Sequence, residues 1–243
     1  EVRAEKLSAN NIIEKHKNKT IVICNRVETA QEIYNQLVKE KQTGENHTIN
    51  NTRIICLHSR FFDKDRKKKE NELKKLFGKC ANEVSVILVS TQVIEAGMDI
   101  SCDVMHTEIS PISSFLQRAG RCARFANQIG QIFIYDILDI QERETISIEP
   151  EAQEDKDEVK KLNNKYLPYD KAVCDKTFEE LQKYLTLDGN IPNQLIEAIL
   201  GNEEKQIISR MQTGQGGGFN QDKIRESWNN CQKNFYRSTI RDI

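Results

Sequence analysis

Residues 20–24 read Thr20-Ile21-Val22-Ile23-Cys24, a short continuous apolar run that is typical of a strand buried on both faces. A helical pattern follows, with apolar residues at helical spacing from Ala30 to Val38. This alternation of apolar run and helical pattern continues to about residue 137. The further apolar runs lie at residues 53–58, 84–89, 104–109 and 130–137. Buried strands separated by helices predict an α/β fold with a parallel sheet.

Two helices have boundaries that can be predicted from the residues at their ends. Asp63 is expected to cap a helix that buries Leu73 and Phe77 and ends at Gly78. Pro111 suits the first turn of the next helix, because its fixed backbone is already helical. The lysines between residues 64 and 75 alternate with acidic residues, which favours a solvated face over a patch that binds DNA.

The composition limits the class of protein. A formal net charge of −1 predicts no general attraction to nucleic acid, so any such contact must be a local groove. Seven scattered cysteines without a Cys-x-x-Cys pair argue against a disulfide framework and against a metal site, and favour a reducing cytoplasm. No apolar stretch is long enough to span a membrane. The first residue is Glu, so we expect a piece of a longer protein.

The composition changes at about residue 140. Residues 149–158 carry six acidic residues and one lysine, which predicts a solvated connector rather than a catalytic carboxylate cluster. We therefore predict a first domain at 1–144, an acidic linker at 145–165 and a helical extension at 166–243. Helical patterns in the extension lie at 175–185, 193–211 and 222–237. The glycines at 214–218 lack a following Lys-Ser/Thr and a preceding strand, so they are interpreted as a flexible joint rather than a phosphate loop.

Polar residues follow three of the predicted strands. In parallel sheets, ligands bind beyond the carboxyl ends of the strands, so these residues are the candidates for a site. They are Asn25 and Arg26 after the first run, His58, Ser59 and Arg60 after the second, and Thr91 and Gln92 after the third. A locally satisfied strand-end histidine is an equally good interpretation of His58 alone.

The octapeptide Gln117-Arg118-Ala119-Gly120-Arg121-Cys122-Ala123-Arg124 carries the most specific signal. On a helix, Gln117, Arg121 and Arg124 would project from one face. Adjacent guanidinium groups repel one another unless an anion lies between them, and their planar donors match phosphate geometry. The pattern therefore favours a phosphate site over the alternative, a solvated basic helix.

A second segment, Thr91 to Asp99, precedes this octapeptide by about twenty residues. Gly97 permits a close approach of backbone to ligand, and Asp99 offers a carboxylate suited to a ribose hydroxyl pair. Taken alone, these would be a turn glycine and a capping aspartate. Together they indicate a nucleotide site only if they lie at the same sheet edge as the arginine helix, and we predict that they do.

The two segments Thr91–Asp99 and Gln117–Arg124 resemble motifs V and VI of the superfamily two helicases, and Thr20–Arg26 resembles motif IV. The longer segments Val89–Ile100 and Ile109–Ile112 are similar in sequence to one branch of this superfamily, the helicase-nuclease of type I CRISPR systems. Leu167-Pro168-Tyr169 and Asp175–Leu181 resemble the helical stretch that follows the motor in that branch.

The resemblance implies the second of two RecA-like lobes, between which such helicases hydrolyse ATP. It implies that Arg121 and Arg124 are arginine fingers for the γ-phosphate, and that Gln117 orients their helix or touches the nucleotide. Asp99 would contact the ribose, with Gly97 giving clearance. Arg118 points off that face and is expected to pair structurally. Cys122-Ala123 stands where many relatives carry glycine, which leaves the finger spacing intact.

The resemblance also implies that one set of residues in this chain binds the backbone of single-stranded DNA. These positions are Asn25, Arg26, His58, Ser59, Arg60, Thr91 and Gln92. Hydroxyl, amide and guanidinium donors at such positions suit phosphate contacts without sequence readout.

The first-lobe and nuclease motifs, which are Gly-x-x-x-x-Gly-Lys-Ser/Thr, Asp-Glu-x-His and the His-Asp metal signature, do not occur in the 243 residues. The resemblance implies that Mg²⁺ is held mainly by the first lobe, and a divalent metal by a nuclease domain elsewhere. The implied partners are these domains, single-stranded DNA and a crRNA-guided surveillance complex.

Two other functions stay open at this point. One is a lobe of another superfamily two helicase, acting in DNA repair or on RNA. The other is a non-catalytic module that keeps the fold as a docking surface, although it would have no need of Arg121, Arg124, Gly97 and Asp99 together.

Overall fold

The computed structural model describes residues 1–44, 47–81, 84–95, 97–147, 153–187 and 191–199. Its strands are β1 (Val2–Lys6), β2 (Lys19–Ile23), β3 (Arg53–Leu57), β4 (Val86–Ser90), β5 (Val104–Glu108) and β6 (Gln131–Asp136). They form one sheet in the order β1-β6-β5-β2-β4-β3, and every pairing is parallel. The predicted parallel α/β fold is confirmed.

Seven helices are bounded within the described residues: α1 (Ala9–Lys15), α2 (Val27–Thr43), α3 (Asp63–Phe77), α4 (Ile112–Ala119), α5 (Ile140–Ser147), α6 (Gln153–Asn163) and α7 (Lys171–Leu181). Short 3-10 turns occupy Gln92–Ile94 and Asn164–Tyr166, and residues 191–199 are helical. No helix of the described residues combines the length and apolarity needed to cross a membrane.

Helices cover both faces of the sheet, so the strands are buried on both sides. Ile12 of α1 and Leu37 of α2 pack in one apolar cluster with Val22 of β2. Phe77 of α3 packs in the other cluster with Ile23, the next residue of the same strand. Successive residues of a strand point to opposite faces, which explains why β2 appears in the sequence as an unbroken apolar run.

The edge strand β1 was not predicted from the sequence. It reads Val-Arg-Ala-Glu-Lys and pairs on one side only, with β6. Charged residues are common on edge strands, where they discourage pairing with another chain. Their presence in β1 removes the apolar run that marks the interior strands.

Two predicted helix starts are displaced by one residue. Asp63 is the first residue of α3 and not its cap, because Phe62 precedes it at the N-cap with an extended backbone. Pro111 is the N-cap of α4, not part of its first turn. The predicted end of α3 at Gly78 is confirmed, since Gly78 is the C-cap and donates its N–H to the carbonyl of Lys74.

The predicted connector at 145–165 contains α6, a helix that the sequence analysis did not predict. Residues 1–195 form one compact unit, and residues 196–243 form a second unit. The domain boundaries at 144 and 165 therefore stay predictions. The helix predicted at 222–237, the glycine joint at 214–218 and most of the helix predicted at 193–211 lie outside the described residues.

Candidate functional site

The carboxyl ends of β2, β4 and β3 lie next to one another, which brings the predicted strand-end residues to one edge of the sheet. We call this the strand-end edge; it consists of Asn25, Arg26, His58, Ser59, Arg60, Thr91 and Gln92. The Gln92 side chain donates to the carbonyl oxygen of Asn25 at 2.8 Å. The turns after β2 and β4 are therefore tied together directly.

The members of the strand-end edge differ in how much they face solvent. Arg26, Ser59 and Arg60 are exposed, whereas Thr91 and His58 are buried. Arg60 pairs with Glu28 at the start of α2. Burial lowers the pKa of His58, and the nearby cations Arg60 and Lys69 lower it further, so the imidazole is neutral at pH 7.

The backbone N–H and the side chain of Asn25 are hydrogen-bonded within the protein. Its backbone N–H donates to the carboxylate of Glu108, and its side-chain amide donates to the carbonyl of Ile109 at 2.8 Å. Its side-chain oxygen accepts from Arg118 at 3.0 Å. Asn25 therefore positions the strand end, and its predicted contact with nucleic acid stays a prediction.

The arginine octapeptide does not form the predicted helix. Helix α4 ends at Ala119 with Gly120 as its C-cap, and residues 120–124 form a loop. This loop turns back onto the chain, because the N–H of Cys102 donates to the carbonyl of Arg121 and the N–H of Ala123 donates to the carbonyl of Cys102. The predicted common helix face of Gln117, Arg121 and Arg124 is therefore wrong.

The predicted location of this arginine loop, residues 120–124, is wrong for its backbone but not for the Arg121 side chain. Cys102 comes two residues before β5 begins, so the loop lies beside the amino ends of the strands. The strand-end edge lies at their carboxyl ends. The Arg121 side chain, however, donates to the carbonyl oxygens of Ile94 and Glu95, in the turn that follows the carboxyl end of β4. The arginine loop and the strand-end edge are therefore two neighbouring clusters of polar residues.

Arg121 is a buried cation without a carboxylate partner among the described residues. It is 8% exposed, and it donates to the carbonyl oxygens of Ile94 at 3.2 Å and Glu95 at 2.7 Å. Burial lowers the pKa of Arg121, the neighbouring Arg124 lowers it further, and Asp99 opposes both. Because Arg121 has a second cation nearby and only neutral acceptors, a bound anion would stabilise its charged form.

Arg124 and Asp99 meet each other in an exposed ion pair, with 2.6 Å between Nε and Oδ1. The ends of the two predicted nucleotide-binding segments, Asp99 and Arg124, therefore contact each other near the amino end of β5. Gly97 has a φ of +80°, which explains the glycine by its backbone conformation. Gln117 is exposed at the end of α4, and Ala96 lies outside the described residues.

Arg118 is fully buried and links the two clusters. Its partners are Glu95 (2.8 Å), Thr107 (3.0 Å), the carbonyl of Glu108 (3.1 Å), Asn25 (3.0 Å) and Tyr169 (3.2 Å). These five bonds occupy all five N–H donors of a guanidinium. The predicted structural pairing of Arg118 is confirmed. Since Glu95 bonds to Arg118 by its side chain and to Arg121 by its carbonyl, it connects the arginine loop to the strand-end edge.

Comparison with known proteins identifies the family to which this chain belongs. The family model described as CRISPR-associated nuclease/helicase Cas3, C-terminal, matches residues 16–127. The putative CRISPR-associated nuclease/helicase Cas3 of Methanocaldococcus jannaschii is 34% identical over 182 residues, which is 72% of this chain and 20% of that protein. This chain is a second RecA-like helicase lobe of the Cas3 family. The Cas3 lobe spans about a fifth of the length of the first curated relatives it matches.

Solved structures share the fold of this Cas3 lobe. The crystal structure of T. fusca Cas3 with ADP has a TM-score of 0.61 at 23% identity, covering 88% of this chain and 26% of that one. A chain in a CRISPR RNA-guided surveillance complex, before nicking, has a TM-score of 0.52 at 19% identity, covering 86% and 26%. At these identities the likeness concerns the fold alone.

Three residues of the network in the Cas3 lobe were missed by the sequence analysis. Glu95 lies within the segment Thr91–Asp99 and Glu108 within the apolar run at 104–109, and neither position by itself indicates a role. Burial raises the pKa of Glu108, although the N–H of Asn25 and the guanidinium of Arg118 act against it. Tyr169 bonds to Arg118 and to Ser114 across long sequence separations. A charged residue within an apolar run is the signal that could have revealed Glu108.

We predict that Ala123→Gly stabilises the Cas3 lobe by about 0.5 to 1 kcal/mol. Ala123 has a φ of +50°, a region that costs an alanine more than it costs a glycine. Asn127→Gly is the matched control, because Asn127 has a φ of +66° but asparagine tolerates this region. Urea denaturation measures both changes. A loss of stability in Ala123→Gly would contradict the assigned backbone conformation.

Proposed function

We propose that the full-length protein carrying this lobe is an ATP-dependent single-stranded-DNA translocase or helicase that acts with a nuclease in CRISPR antiviral defence. One observation supports the motor function above all. Arg121 is a buried cation that lies beside Arg124 and has only neutral carbonyl partners in the described part of the chain. Such an arrangement is suited to a polyphosphate supplied by another domain.

The residues of the arginine loop fit ATP as the anion. Bound ATP, with Mg²⁺ held mainly by the first RecA-like lobe, supplies the triphosphate whose terminal phosphoryl group gathers charge during hydrolysis. Arg121 and Arg124 would donate to its oxygens, and Asp99 would accept from the ribose hydroxyls. The exposed Arg124–Asp99 pair stabilises the fold by no more than about 1 kcal/mol. Both side chains can therefore exchange partners at small cost.

The strand-end edge fits the backbone of single-stranded DNA. Arg26, Ser59 and Arg60 are exposed donors there, and Gln92 is partly exposed. Contacts of this kind position a strand without reading its sequence. In this proposal Asn25, Thr91 and His58 shape the edge from beneath, since all three are buried.

The names of the relatives support the remaining parts of the proposal. The relatives are nuclease/helicases, so a nuclease with its own divalent metal is expected in the same protein or complex. A chain of the same fold occurs in a crRNA-guided surveillance complex, which is the expected partner. The expected compartment is the cytoplasm. Among the described residues no group of His, Cys, Asp or Glu converges as a metal site.

ATP hydrolysis by the full-length protein tests the proposal. We expect single-stranded DNA to stimulate hydrolysis and RNA of the same sequence to leave it near the basal rate. Stronger stimulation by RNA would favour the alternative of another superfamily two helicase. An intact, folded protein that hydrolyses no ATP with either polymer would favour a docking module and overturn the proposal.

A further inference from the structure

Phe62 is the one exposed side chain among the Phe, Tyr and Trp residues that the structure describes. It is 83% exposed, whereas the preceding Phe61 is partly buried. A large apolar ring left in water costs free energy unless a partner covers it. The ring follows directly on Ser59 and Arg60 of the strand-end edge.

The backbone at Phe62 is fixed even though its ring is not covered. Phe62 is the N-cap of α3, and its carbonyl oxygen accepts from the N–H groups of Asp65 and Arg66, both at 2.9 Å. The start of the helix therefore determines where the ring begins. A ring on a fixed backbone loses little conformational freedom when a flat partner stacks on it.

The surroundings of Phe62 combine aromatic and cationic groups. Phe61 stacks on the His58 ring with 4.4 Å between the centroids, and the ammonium of Lys69 lies 4.8 Å from the centroid of Phe61. Arg60 has an exposed side chain, and Lys64 on the other side of Phe62 is exposed between the exposed carboxylates of Asp63 and Asp65. Interleaved rings and cations are the composition of surfaces that bind single-stranded nucleic acid.

We propose that Phe62 is a stacking platform for one base of single-stranded DNA, at the carboxyl end of β3. This inference rests on the proposed function, because it takes the strand-end edge as the path of the DNA backbone. Arg60 would hold a phosphate while Phe62 covers the adjoining base. Every base has a flat face, so the contact adds affinity without sequence preference.

A protein partner fits this surface less well. A docking patch for a protein needs contiguous apolar area. The residues on either side of Phe62 in the sequence, from Ser59 to Asp65, are polar or charged except for the partly buried Phe61. A single ring among solvated charges can cover one base, but it offers little to a protein surface.

Strand binding by the full-length protein, measured by fluorescence anisotropy, tests the inference. The strands are a single-stranded oligodeoxynucleotide and a series in which one abasic site is moved through successive positions. We expect Phe62→Ala to weaken binding of the intact strand about tenfold, within the range known for base stacking on aromatic residues. Phe62→Leu should weaken strand binding by a similar factor, whereas Phe62→Trp should bind the strand about as tightly as the wild type. Ile129→Ala is the matched control, since Ile129 is 93% exposed and precedes β6, away from the strand-end edge.

The abasic series separates base stacking from other roles of Phe62. In the wild-type protein one abasic position should weaken binding about tenfold, and in Phe62→Ala the same position should have no effect. Unchanged binding in Phe62→Ala, or equal losses at every abasic position in both proteins, would overturn this inference alone. The proposed function would still stand if DNA stimulated hydrolysis. A wild-type protein that binds no single-stranded DNA would overturn both.

Discussion

Replacing Arg118 by methionine is expected to lower the free energy of unfolding by about 3 to 5 kcal/mol, the largest effect of any single change considered. Methionine fills much of the same space but donates no hydrogen bond. Glu95 would lose its cationic partner, since its carboxylate bonds to Arg118 at 2.8 Å and its side chain is only 10% exposed. Thr107, Asn25 and Tyr169 would lose a donor as well. A buried charge left without its partner is strongly destabilising.

Urea denaturation of the 243-residue chain measures this change, with Arg53→Met as the matched control. Arg53 also pairs with a glutamate, Glu72, but its side chain is 56% exposed. An exposed pair contributes little, so Arg53→Met should change the unfolding free energy by less than about 1 kcal/mol. Equal effects of the two substitutions would contradict the central position of Arg118 in the network.

Replacing Arg121 by alanine should lower ATP turnover of the full-length protein by about a thousandfold or more, the effect typical of a missing arginine finger. The physical reason is the loss of the buried cation that would neutralise charge on the transferring phosphoryl group. Arg121→Lys should restore little, because an ammonium cannot match two phosphate oxygens in the planar manner of a guanidinium. A steady-state phosphate-release assay measures the turnover.

Strand binding is the control that separates catalysis from folding in this variant. Arg121 donates to the backbone carbonyls of Ile94 and Glu95 and to no side chain of the strand-end edge, so its loss should leave that edge in place. Binding of single-stranded DNA to Arg121→Ala should stay within about a factor of three of the wild type. Normal turnover in this variant would remove the finger role.

The sequence predicts the sheet well because its strands are marked by their own composition. An interior strand such as β2 is buried on both faces, so its residues Ile21 to Ile23 form an unbroken apolar run that is visible without any other information. The placement of Asn25, His58 and Thr91 at one edge follows from the parallel arrangement alone. The edge strand β1 has no such marking, because none of its five residues is buried.

The arginine loop could not be predicted because its shape depends on contacts far along the chain. Gln117 to Arg124 has a good helical pattern, but the backbone of residues 121–123 pairs with Cys102 instead. The positive φ of Ala123 also conflicts with a continuing helix, and an alanine in the sequence gives no indication of a positive φ. Tertiary context overrides local propensity here. The motif indicates which arginines are candidates, and the structure places the backbone of residues 121–123 beside the amino end of β5.

The role of Arg118 could be predicted in kind but not in detail. A helix face pointing away from the other arginines indicates a structural partner, and the structure supplies five. Those partners come from β5, from the turns after β2 and β4, and from the chain before α7. No spacing within the sequence indicates that such distant segments converge.

The central claim is that the arginine loop of this lobe serves a nucleotide held by the first lobe. The most direct measurement is a structure of the full-length protein with ADP and a metal-fluoride analogue of the transferring phosphoryl group. We predict that the Arg121 or Arg124 guanidinium lies within about 3 Å of the analogue, the distance of a charge-assisted hydrogen bond. The claim would be contradicted if the cleft were closed around the analogue while Arg121 stayed on the carbonyls of Ile94 and Glu95 and Arg124 stayed on Asp99.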